Sequence, residues 1–165
     1  MRAGYPFKCG ITQIIANPRT ELYTLCMANT ETSGDNIVLA QAALKEMRQA
    51  IEEEAWAVAQ ERAQDAERHL DAVRTQLAIV GMEEPKLARV SIDKWETFPK
   101  EVLGDLATSQ RYLHEASLES ADGNTASRID AWGRVAVVLD VVEQVRPWLE
   151  KRIALEAVEL PPMRF

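Results

Sequence analysis

Apolar side chains recur at helical spacing through the longest uninterrupted segment of the chain, Asp35 to Val80. Stepping from Leu44 through Met47, Ile51, Ala55, Val58, Arg62, Ala66, Leu70, Val73 and Leu77 to Val80 takes ten steps over thirty-six residues. The mean of 3.6 is the turn of an undistorted α-helix, not the 3.5 of a sustained heptad supercoil. No glycine or proline interrupts these forty-six residues, and frequent alanine favours helix and lets a second helix approach closely. Ser33 or Asp35 suits the first cap, and Gly81 the left-handed position after the last turn, with Pro85 beyond it. The pattern therefore predicts one long amphipathic helix over 35–80. Such a helix would span about 69 Å, whereas a compact chain of this size is roughly 40 Å across. Either it bends or splits near Arg62, the one break in the stripe, or it projects and needs cover from other helices or another subunit.

Before this segment the periodicity changes to two. Residues 7–16 and 21–28 flank Asn17-Pro18-Arg19-Thr20, a turn signature, and predict a β-hairpin over 7–28. With Asn17 facing Thr20, one face carries Phe7, Cys9, Ile11, Ile15, Leu22, Cys26 and Ala28. The two cysteines then lie diagonally, too far apart for an easy disulfide. Residues 87–92 alternate and form a candidate third strand. Beyond them, Pro99 opens a helix over 99–120 with Val102, Leu103, Leu106, Leu113 and Ala116 inward. Asn124 or Thr125 caps a further helix over 125–157, kinked near Pro147. Its valine-rich run 135–145 would also suit a buried strand, but apolar positions continue at helical spacing through Ile153. Residues 160–165 read as an extended tail. The expected fold is α+β and mostly helical. An N-terminal hairpin, extended to three antiparallel strands if 87–92 joins it, accompanies a three-helix antiparallel bundle with one long member, all in a single domain over 1–165.

Charge narrows the partners. Across the 165 residues the formal net charge is −7, and residues 35–80 contribute nine acids against five bases. An acidic chain without a basic face is a poor phosphate binder, which argues against nucleic acid. No apolar run reaches membrane-spanning length and the N-terminus lacks a signal-peptide core, so a cytoplasmic location is expected. Two cysteines form no disulfide framework.

Motifs for chemistry are sparse. No glycine-rich phosphate loop, Gly-x-Ser-x-Gly, Cys-x-x-Cys or His-Glu-x-x-His occurs. His69 follows Asp65 and His114 neighbours Glu115, without a second His or Cys at zinc-ligand spacing. Glu101-Val102-Leu103-Gly104-Asp105 resembles the Glu-Glu-Leu-Gly-Asp segment of the all-α nucleotide pyrophosphohydrolases of the MazG type. That resemblance implies Mg²⁺ held by four carboxylates on paired helices, with Glu101 and Asp105 among them. Val102 stands where the family has a metal-binding Glu, and the upstream acids Glu52-Glu53-Glu54 lie about fifty residues away, longer than the family spacing. Val142–Glu156 is similar to the last helix of homing endonucleases of the LAGLIDADG type. Their metal-binding motif and basic DNA face are missing here, so that function does not carry over.

Trp56 sits one position off the long stripe, after three glutamates. An aromatic at the edge of an acidic face has the composition of a protein-binding hot spot, although a neighbouring helix covering it explains the residue equally well. The expectation is a non-enzymatic protein–protein interaction module that needs no cofactor or metal. It binds a protein partner as an inhibitor or assembly factor through Glu52, Glu53, Trp56 and Glu61 on the long acidic helix. A homo-oligomeric structural component and a metal-dependent pyrophosphohydrolase-like enzyme are the alternatives.

Overall fold

A computed structural model describes residues 32–81, 83 and 92–158. They form five helices: α1 (Ser33–Glu52), α2 (Trp56–Leu77), α3 (Ile92–Thr97), α4 (Lys100–Asp122) and α5 (Thr125–Val158). No strand occurs among the described residues, so the α+β expectation gives way to an all-helical body. The hairpin over 7–28, residues 87–91 of the candidate strand and the tail over 160–165 lie outside the described residues; Ile92 opens α3.

The long helix over 35–80 is also corrected: it is two helices joined by Glu53, Glu54 and Ala55. Glu54 takes a left-handed backbone, φ 57°. Around it, the Glu54 N–H donates to the Ile51 carbonyl at 3.1 Å and the Ala55 N–H to the Ala50 carbonyl at 2.8 Å. This paired return is the Schellman ending of a helix, here without the usual glycine. Burial explains why the chain turns where no glycine or proline asks it to. Folding back places Ile37, Leu44, Met47 and Ile51 of α1 in the core with Leu70, Val73 and Leu77 of α2. Burying the four large α1 side chains alone contributes roughly 6–12 kcal/mol, against about 1–2 kcal/mol for one non-glycine residue in the left-handed region. Ala59, Ala63 and Ala66 are fully buried, so neighbouring helices can approach α2 closely. The inner stripe of α2 is thus offset from the expected one. Val58 is 48 % exposed, and Arg62 reaches Glu46 at 3.4 Å and Asp65 at 2.8 Å.

In place of the expected three-helix antiparallel bundle, four helices form a ring, with α1 beside α2 and α4, and α5 beside α2 and α4. Cross-helix bonds fix their directions. The Ser33 and Ser120 hydroxyls meet at 3.1 Å and Arg48 bonds Gln110, so α1 and α4 are antiparallel. Gln60 donates to Glu150 at 3.3 Å, and Arg128 donates to the Leu77 and Gln76 carbonyls at 3.2 and 2.6 Å, so α2 and α5 are antiparallel. The order is up, down, down, up, and the connection from α2 to α4 must run the length of the bundle. At its far end Trp95 of α3 is fully buried and its indole N–H donates to Asp105 Oδ2 of α4 at 2.7 Å.

At the α4–α5 corner, Gly123 takes φ 80° and Asn124 Oδ1 accepts the Ser127 N–H at 2.8 Å, capping α5. The valine-rich run 135–145 is helical. Val135, Val138, Leu139, Val141, Val142 and Val145 are all buried, because α5 faces both α2 and α4 and needs a wide apolar surface. Pro147 lies inside α5 on its exposed side, where water can take the carbonyl that its missing N–H leaves free. No helix of the described residues is long and apolar enough to cross a membrane.

Candidate functional site

The turn between α1 and α2 gathers three glutamates at one end of the bundle. Glu52, Glu53 and Glu54 are exposed, and Glu53 accepts a bond from Gln49 Nε2 at 2.9 Å. Because the chain reverses here, they form a knuckle of carboxylates at a helix–helix corner instead of a stripe along a rod. Trp56, the first residue of α2, is half-buried and turned toward α5. Its ring meets Trp148 edge-on, with centroids 5.8 Å apart and planes at 88°, and the Arg152 guanidinium lies 5.9 Å from its centroid. Much of Trp56 is therefore packing, worth about 0.5–1.5 kcal/mol for the aromatic pair beyond its buried area. Glu61 is exposed further along α2 and pairs with Arg62 at 3.3 Å. The structure thus brings Glu52, Glu53 and Trp56 to one end, with Glu61 along the adjoining face.

Residues that periodicity did not single out complete this end. Past Arg152, α5 continues with Leu155 and Val158, which are 55 % and 77 % exposed. Phe98, between α3 and α4, is 58 % exposed at the same end. Apolar spacing in the sequence predicts an inward stripe for this helix only through Ile153, whereas its buried face ends at Leu149. Its exposure beyond that point depends on where α2 and α4 stop, which no local pattern encodes.

Glu101 and Asp105, the pair carrying the pyrophosphohydrolase resemblance, lie in the first turns of α4 and each has a protein partner. Lys94 Nζ reaches Glu101 at 2.8 Å, and that hydrogen bond, with the charge of the same carboxylate, holds the lysine above its ordinary pKa. Asp105 accepts the Trp95 indole. Among the described residues, no group of three or more His, Cys, Asp or Glu side chains converges to hold a metal ion. The two histidines are separate: His69 Nδ1 lies 3.0 Å from Oδ1 of the buried Asn36, and His114 is exposed on α4.

A shallow groove of about 590 Å³ runs between α4 and α5, lined by Tyr112, Ile129, Trp132, Gly133, Val137 and the Arg134 side chain, among others. Arg134 is committed to Glu119, at 2.9 and 3.0 Å, and to Glu115. These carboxylates raise its pKa above the ordinary guanidinium value, the Glu119 hydrogen bond first. On the α2–α5 face, partial loss of hydration pushes the Glu143 carboxyl up; Glu67, Asp140 and Asp71 add repulsion and Arg74 opposes it. Neither place sets an acid, a base and a nucleophile against one another. No protein-family model, curated protein or solved structure matches this chain.

Proposed function

We propose that this chain is a non-enzymatic binding module of the cytoplasm that holds a protein partner, as an inhibitor or an assembly factor, at the hinge end of its helical bundle. The observation that carries the reading is the exposure of Leu155 and Val158 beyond the last packed turn of α5, at the same end as the carboxylates of Glu52, Glu53 and Glu54. Apolar side chains rimmed by charge have the make-up of a recognition surface. The acid rim selects a partner with a basic border, and like-charged surfaces are repelled. Glu52, Glu53 and Glu61 serve as rim residues, while Trp56 adds its exposed part and otherwise fixes α5 to α2.

The test is capture by the immobilised full chain from native lysate, set against two variants. Glu52→Lys/Glu53→Lys reverses the rim, and Leu155→Ser/Val158→Ser removes the apolar contacts; both alter exposed positions and leave the fold in place. A protein retained by the parent chain and lost from both variants supports the reading. Identical capture by all three, or none by any, contradicts it.

A further inference from the structure

We infer that the seat of α1, on α2 and α4, also accepts α1 from a second copy of this chain, giving a dimer in which the hinge at Glu53–Ala55 straightens and the first helices are exchanged. Two observations carry it. First, the hinge is only three residues long and contains no glycine or proline, so every residue in it is compatible with a continuous helix. Second, the hairpin forces a non-glycine residue, Glu54, to φ 57°; straightening relieves that strain, and short strained hinges invite exchange.

A straightened α1 would extend about 30 Å past the start of α2. Alone it would expose Ile37, Leu44 and Met47, all fully buried in the hairpin form. Two copies that straighten together re-form each contact across the pair, including Ser33 with Ser120 and Arg48 with Gln110. The exchange is reciprocal and closed, so it stops at a dimer.

The test uses the full chain refolded at millimolar concentration and analysed by size-exclusion chromatography with light scattering. A dimer is expected, in slow exchange with monomer. Its connectivity is read from Ser33→Cys/Ser120→Cys, placed with Cys9→Ser and Cys26→Ser so that no other thiol competes. Oxidation should then link two chains covalently in the dimer fraction and close a loop within one chain in the monomer fraction. Glu54→Gly relaxes the hairpin and weakens the straight helix, and should lower the dimer association constant by roughly a hundredfold. No dimer at any concentration, a dimer whose disulfides lie only within chains, or a Glu54→Gly dimer as stable as the parent would each overturn the inference.

Discussion

Replacing Glu54 by glycine tests the hairpin through the sign of a stability change. Glu54 is exposed and its backbone sits at φ 57°, where a side chain crowds the adjacent carbonyl by about 1–2 kcal/mol. Glycine adopts that conformation freely, but it also gives the unfolded chain more freedom, by roughly 0.5–1 kcal/mol. The balance is a gain of about 0.5–1 kcal/mol. For a chain of this size that raises Tm by about 1–4 °C. If residues 35–80 were one helix, the same substitution would place glycine mid-helix and cost about 0.5–1 kcal/mol. Urea unfolding followed by far-ultraviolet circular dichroism separates the two outcomes, provided it is done on dilute monomer. A midpoint lower than the parent's would refute the turn and the reasoning built on it.

Other substitutions probe the rest of the bundle. Trp95→Phe keeps the buried ring but removes the indole donor to Asp105, and should cost about 1.5–3 kcal/mol. In a double-mutant cycle with Asp105→Ala most of that loss should appear as coupling, whereas independent effects would mean that the bond does not hold α3. Mg²⁺ should leave the Tm of the parent unchanged; a rise that Asp105→Ala abolishes would revive the pyrophosphohydrolase reading. Ala63→Leu should overpack the core around α2 and cost about 1–3 kcal/mol, because Ala63 is fully buried; a neutral result in thermal melts would place that face in solvent. Glu143→Gln should stabilise the fold modestly at neutral pH. The folded-state pKa of Glu143 is raised, so its favourable contribution exists below the unfolded carboxylate value and is lost as pH rises through the folded one. The advantage of the glutamine should therefore vanish on acidification, and an advantage independent of pH would count against that cause.

Helix existence was legible where periodicity met a chemical punctuation mark. The helices over 99–120 and 125–157 occupy Lys100–Asp122 and Thr125–Val158, bounded by Pro99 and by the Gly123-Asn124 turn. The α1–α2 turn was not legible for the opposite reason. Every residue from Glu52 to Ala55 favours helix, and the chain reverses only because two apolar stripes bury each other, a gain with no local signature. Arg62 marked the disturbance but displaced it by about two turns: its neighbour Ala63 carries the true inner stripe. Trp56 shows the same limit at the candidate site. Its place beside three glutamates was visible, but its packing on Trp148 and Arg152 depends on a helix ninety residues away. Spacing predicts an inward stripe through Ile153 in the last helix, but burial ends at Leu149, and Leu155 and Val158 beyond it stand exposed.

A distance between α1 and α2 settles the hairpin most directly. Spin labels at Leu39 and Asp71, both exposed, would be measured by pulsed dipolar spectroscopy in the dilute monomer, with Cys9 and Cys26 replaced by serine. Neighbouring antiparallel helices predict a separation of about 20 Å between labels. A distribution centred near 48 Å, the length of thirty-two residues of unbroken helix, would contradict it.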